Sequence, residues 1–136
     1  MKMGKDTKSA VFTKAKITIS NGKGSLMQEE YILDAAKKTE YNIGRGEGNY
    51  NHIVIKENDP GHYETNSRIS RDHAKIVFVA EKGFFLQSRN ETNRTIINRN
   101  EQRFADLKDL NAKSLLRNDD EIELGKSVCL RFQIFE

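Results

Sequence analysis

Short runs of alternating apolar and polar residues fill this chain, and turn-forming residues break them every few positions. Ala15-Lys16-Ile17-Thr18-Ile19 alternates with period two, as a half-buried strand does. Asn21-Gly22-Lys23-Gly24 follows as a turn. Tyr31-Ile32-Leu33 and Tyr41-Asn42-Ile43 are short strand candidates, and His52-Ile53-Val54-Ile55 and Ala74-Lys75-Ile76-Val77-Phe78-Val79 are stronger ones. Lys82-Gly83 turns the chain into Phe84-Phe85-Leu86, and Thr95-Ile96-Ile97-Asn98 is a further run. Ile122-Glu123-Leu124 and the run from Val128 to Phe135 close the pattern, with Gly125 between them. One stretch, 104–116, places Phe104, Leu107, Leu110 and Leu115 near a helical stripe without fitting it, and reads equally as an irregular connection.

About ten to eleven short strands with frequent turns predict an all-β fold, a β-sandwich of two antiparallel sheets. Residues 1–11 are polar and lysine-rich and read as a disordered tail, which leaves 12–136 as a single domain. At 136 residues the chain can bury about two-thirds of its unfolded surface and needs no covalent staple. Phe78, Phe84, Phe85, Phe132 and Phe135 read as core.

Composition narrows the function more than the fold. The single cysteine, Cys129, cannot form an intramolecular disulfide, and no secretory leader is read, which points to a reducing cytoplasm. No apolar run reaches the roughly 18 residues a membrane span needs. Net charge is +3, from 23 basic and 20 acidic residues, too mild a bias to argue for nucleic acid.

Candidate chemistry sits in three turns. Gly44 permits a tight turn, and Arg45 on it can present a planar fork to phosphate. Ser70 offers a hydroxyl, Arg71 a second cation, and Asn93 an amide able to hold a peptide main chain. A phosphothreonine carries about −1.5 to −2 charges and three strong acceptor oxygens, so it needs donors already in place. Each hydrogen bond to such a group contributes roughly 1.5–3 kcal/mol net. A long polar connection, 57–69, opens with Asp59-Pro60-Gly61 and leads directly into Ser70. Loops of this length are often functional.

Taken in order, Gly44-Arg45, Ser70-Arg71-Asp72-His73, Asn93-Arg94-Thr95 with Asn98, and Asp120-Glu121-Ile122-Glu123-Leu124-Gly125 resemble the motifs of forkhead-associated (FHA) domains. Those are modules that bind phosphothreonine peptides. The resemblance covers residues 13–136. It implies that Arg45 and Ser70 contact the phosphate and that Arg71 contacts phosphate or peptide backbone. Thr92 and Asn93 would lie on the peptide, and Arg68 would select an acidic side chain three residues after the phosphothreonine. Gly44, His73 and Asn98 would support the binding loops, with His73 holding the Ser70 turn from below.

The resemblance thus implies a non-enzymatic signalling adaptor without cofactor or metal. Its partner would be a phosphothreonine-containing protein, or a phosphorylated segment of the same polypeptide, prepared by an upstream Ser/Thr kinase. The chain departs from the family pattern in three places. Arg94 stands where the family has Gly and adds positive charge at the binding edge. The stretch between Arg45 and Ser70 is longer than usual. Ser88-Arg89-Asn90-Glu91 replaces the usual Asp-x-x-Ser, so the support under the Asn93 loop must differ.

Other readings carry less. Gly44, Gly46 and Gly48 lack the following helix that a nucleotide loop requires. Ser70, Asp72 and His73 are sequence neighbours without a nucleophile elbow. His52, His62, His73 and Cys129 lack metal-ligand spacing. A phosphate-independent or structural module of the same fold remains an alternative. So does a nucleic-acid surface built from Arg89, Arg94, Arg99 and Arg103, although few aromatics are interleaved with them.

Overall fold

The computed structural model describes residues 12–20, 28–46, 51–55, 70–90, 92–125 and 128–135. They form eleven strands in two packed sheets, and the described residues contain no helix. The first sheet runs β2-β1-β11-β10-β7-β8. Its strands are β1 (Lys14–Ser20), β2 (Gln28–Asp34), β7 (Thr95–Arg99), β8 (Gln102–Asp106), β10 (Asp120–Leu124) and β11 (Val128–Phe135). The second runs β4-β3-β5-β6-β9, from β3 (Glu40–Arg45), β4 (Ile53–Ile55), β5 (Ala74–Val79), β6 (Gly83–Ser88) and β9 (Lys113–Leu115).

The period-two pattern explains which face each strand buries. Ile122 and Leu124 of β10 are sealed while Glu121 and Glu123 look outward. On β6, Phe84 and Leu86 point inward between half-exposed neighbours. The two inner faces meet in one core that includes Ile17, Leu33, Ile43, Ile76, Leu86, Ile122, Leu130 and Phe132. Phe84 packs edge-on against both Phe78 and Phe132, with ring centroids 5.0 and 5.7 Å apart. Such pairs add stabilisation beyond their buried area.

The structure refines three expectations. The 104–116 stretch is neither a helix nor wholly irregular. It holds the end of β8 and all of β9, because its apolar side chains follow sheet edges instead of a helical face. The sheets are not purely antiparallel, since β3 and β4 pair in parallel. That pairing sets Ile55 beside Arg45. Phe135 is not core. It sits at the open end of the last strand and is exposed. The 1–11 tail, the Asn21–Gly24 turn and the whole 57–69 connection lie outside the described residues.

Candidate phosphate-recognition loops

Strand ends bring the Arg45, Ser70 and Asn93 turns together at one end of the sandwich, and the contacts between them are largely to backbone carbonyls. Arg45 is the last residue of β3, and its N–H donates to Ser70 O at 3.0 Å. His73 N–H donates to Ile43 O at 3.1 Å, so the Ser70–His73 turn is clipped to β3 at both ends. Gly44 explains why β3 tolerates that proximity. A Cβ at this position would lie 2.0 Å from the Arg71 carbonyl oxygen and 2.8 Å from Asn51 Nδ2. The glycine is needed for space, because the neighbouring turn rests directly on its Cα.

Asn51 completes this junction. Its amide donates to Gly46 O at 3.1 Å and to Arg71 O at 2.9 Å. It therefore ties the turn after Arg45 to the turn that carries Arg71. The sequence contains no signal for this, since both partners are carbonyls of residues set apart in the chain.

His73 is fully buried and links two loops. Ser70 N–H donates to its Nδ1 at 3.1 Å, and Nε2 faces Arg94 O at 3.0 Å. An imidazole that accepts at Nδ1 carries its proton on Nε2, which makes Nε2 the donor to Arg94. Burial pushes its pKa below the usual histidine value, against the opposing pull of the Arg94 carbonyl and of Asp72. The neutral ring is the one this geometry needs.

Asn93 joins the third loop to the second. Its Nδ2 donates to Ser70 Oγ at 2.7 Å. A hydroxyl that accepts from Asn93 keeps its own proton to give to another acceptor. The loop is shaped by Asn90, whose Oδ1 accepts from the N–H groups of Thr92 (2.9 Å) and Asn93 (2.7 Å). Asn90 is the support that replaces the family's Asp-x-x-Ser, and Ser88 Oγ in turn donates to Asn90 O at 3.1 Å. This Asx spacing is readable in sequence.

Arg71 and Thr92 are exposed at the rim, and Arg45 is half-buried. Asp72 is exposed too and faces Arg89 across 3.6 Å. Asn98 stands apart from the loops. It lies on β7, where its Nδ2 donates to Glu123 Oε1 at 3.2 Å across to β10, so what it braces is the sheet. Arg68 lies outside the described residues.

Arg94 does not add free positive charge at the binding edge, because its guanidinium pairs with Asp106 on β8. Its backbone has no left-handed φ that would demand glycine. What the loop end uses is the Arg94 carbonyl, which accepts from His73 and also from Gly125 N–H at 3.0 Å. Three members of the arginine series are engaged within the fold. Arg89 bonds Asn111 and faces Asp72, Arg94 holds Asp106, and Arg99 holds Asp120.

With this geometry in view, the comparisons with known proteins agree. The sequence profile of the FHA domain family matches residues 41–125, more than half of the chain. The chain belongs to the FHA domain family. No curated protein sequence matches it. Among solved structures, it is similar to the FHA domain of CT664 from Chlamydia trachomatis at 17% identity and a TM-score of 0.64, covering 90% of this chain and 99% of that one. The Slr1951 protein of Synechocystis gives 22% identity and a TM-score of 0.60 over 90% and 97% of the two chains. The N-terminal FHA domain of S. cerevisiae Rad53p, solved with a phosphothreonine peptide, gives 20% identity and a TM-score of 0.55 over 88% and 93%.

Proposed function

We propose that this chain is a non-enzymatic adaptor that recognises phosphothreonine peptides through the loops after β3, before β5 and before β7. The observation that carries the reading is the bond from Asn93 Nδ2 to Ser70 Oγ, on a turn clipped to β3 immediately beside Arg45. It holds the Ser70 hydroxyl by a side chain of the third loop, on a turn whose backbone is bonded to Arg45. Donors fixed in advance lose little entropy on binding. The Rad53p relative, which was solved with a phosphothreonine peptide, supports the same assignment.

In this reading Arg45 and Ser70 hold the phosphate, and Arg71 reaches the phosphate or the peptide backbone. Thr92 and the rest of the Asn93 amide lie along the peptide. Arg68 is the residue that reads an acidic side chain three positions on. Gly44 and His73 hold the loops in place, while Asn98 acts on the sheet behind them. Two or three charge-assisted hydrogen bonds of roughly 1.5–3 kcal/mol each support a micromolar complex from a small surface. The ligand is a phosphorylated protein, or a phosphorylated segment of the same polypeptide, made by a Ser/Thr kinase in the cytoplasm.

The test is a fluorescence-anisotropy titration with a degenerate phosphothreonine peptide pool, its phosphoserine twin and its unphosphorylated twin. Binding confined to the phosphothreonine pool and lost in Arg45→Ala is the expected result. Equal binding of the unphosphorylated pool would move the assignment to a phosphate-independent module.

A further inference from the structure

Beyond Thr92 the loop surface continues into an open pocket of about 370 Å³ lined by Asn90, Thr92, Arg94, Leu107 and Lys108. It shares Asn90 and Thr92 with the loop that carries Asn93, so it is contiguous with the phosphate-recognition surface. Its floor is apolar, since Leu107 is buried and its N–H is spent on Thr95 O. Among the described residues its two cations differ. Arg94 is paired with Asp106, whereas Lys108 makes no ion pair. Among those residues the pocket presents one ammonium outside any ion pair above the aliphatic Leu107, with an amide and a hydroxyl side chain in its lining.

We propose that this pocket is a second recognition subsite, taking an acidic side chain that flanks the phosphothreonine, with Lys108 as the residue that sets the preference. The inference rests on the phosphopeptide reading above. A glutamate fits the chemistry well, with methylenes against Leu107 and a carboxylate at Lys108. Arg94 contributes by occupying Asp106, which would otherwise place a repelling carboxylate behind the incoming acid.

The test uses the whole chain and a set of phosphothreonine peptides in which each flanking position in turn is Glu, Gln or Lys. Affinities are measured for wild type, Lys108→Ala and Lys108→Glu, with Arg45→Ala as the phosphate control. Lys108 is exposed, so both substitutions leave the core untouched. At one flanking position the wild type is expected to favour Glu over Lys by about threefold to fivefold, the scale of a solvent-exposed ion pair. Lys108→Ala should erase that preference, and Lys108→Glu should invert it. An unchanged preference in Lys108→Glu overturns the proposal, as does charge-blind binding at every flank. If those peptides still bind through phosphothreonine and Arg45, the subsite alone falls. If no phosphopeptide binds wild type, the underlying reading falls and takes the subsite with it.

Discussion

Two regions of this domain are rich in arginine, and different parts of the residue tie each one together. Just before β7 and at its end, Arg94 and Arg99 are paired within the domain. Arg99 donates from Nε and Nη2 to both oxygens of Asp120 at 2.8 Å, and its guanidinium stacks 3.7 Å from the centre of the Phe104 ring. Asp120 is sealed and also accepts from Arg117 N–H at 2.8 Å. At the loop end, Arg45 and Arg71 tie the turns together through their backbones. Arg45 donates its N–H to Ser70, and Arg71 offers its carbonyl to Asn51. In the first region the guanidinium is a structural part. In the second, main-chain groups tie the turns to one another. The first region depends on a carboxylate facing each guanidinium, the second on carbonyl and N–H groups of neighbouring turns.

The largest effect should come from breaking the internal pair. Asp120→Ala leaves Arg99 beside a buried, vacated site and removes the acceptor for Arg117 N–H. Loss of one partner of a buried pair costs about 3–5 kcal/mol. Denaturant unfolding should show that loss, while phosphopeptide affinity measured where the variant is still folded should hold. A large affinity loss in the folded variant would mean that the two regions are not separable. Gly44→Ala should do the reverse. The new methyl collides with the Arg71 carbonyl, and forced overpacking costs about 1–3 kcal/mol. The strain falls on the Ser70–His73 turn, so phosphopeptide binding should disappear at concentrations where the domain remains folded by circular dichroism.

Asn51→Ala is a milder cut at the same junction. Two carbonyls lose their shared donor, and an unsatisfied polar group costs about 1–3 kcal/mol. Affinity should fall about tenfold through misplacement of Arg45 and Arg71, although Asn51 itself is not assigned to the peptide. Unchanged affinity would show that the Gly44 contact alone sets the spacing.

The contrast also marks how much could be read from the sequence. Alternation along β1, β5, β6, β10 and β11 was legible because one face of each is buried, and period two leaves no other solution. The ordered motifs led to the loops because strand ends collect them. What was hidden are pairings across the fold. Nothing in the run of arginines distinguishes Arg99, whose Asp120 lies on β10, from a solvated surface residue. Nor does the sequence show that Arg94 meets Asp106 on β8. Asn51 carries no sequence signature, because both of its partners are backbone carbonyls. β8 and β9 were blurred because they are edge strands, so several of their positions are exposed and the inside-outside pattern fades.

Proton uptake at the loop end gives a smaller and graded effect. His73 is held neutral, with its pKa depressed chiefly by burial. The unfolded chain, with an ordinary histidine near 6.5, takes up a proton at a higher pH than the folded one. The stabilisation from the neutral ring is therefore complete above the unfolded value and declines as pH falls below it toward the depressed folded value. Thermal unfolding followed from pH 7.5 down to 5 (roughly the histidine range) should show this slope, and His73→Gln should flatten it. Stability is the cleaner readout, because the phosphate of the ligand itself titrates near pH 6. A slope that survives in His73→Gln would assign the effect elsewhere.

The smallest change separates scaffold from site most cleanly. Arg99 pairs with Gln102, so Asn100 and Glu101 are the two central residues of the β7–β8 turn. Both have positive φ, 55° and 65°. A two-residue hairpin of the type that needs left-handed backbone at both centres favours Asn-Gly, and this chain has Asn-Glu. Glu101→Gly removes the steric cost of a side chain there, less the entropy that glycine loses on folding. The net gain should be about 0.5–1 kcal/mol, a rise of a few degrees in Tm. The turn joins the strands that carry Arg99 and Asp106, so any benefit enters through the internally paired region. Phosphopeptide affinity should stay the same, because a tighter scaffold adds no donor at Arg45, Ser70 or Asn93. A gain in affinity alongside Tm would instead show that the Arg94–Asp106 contact relays the order of β8 into the recognition loops.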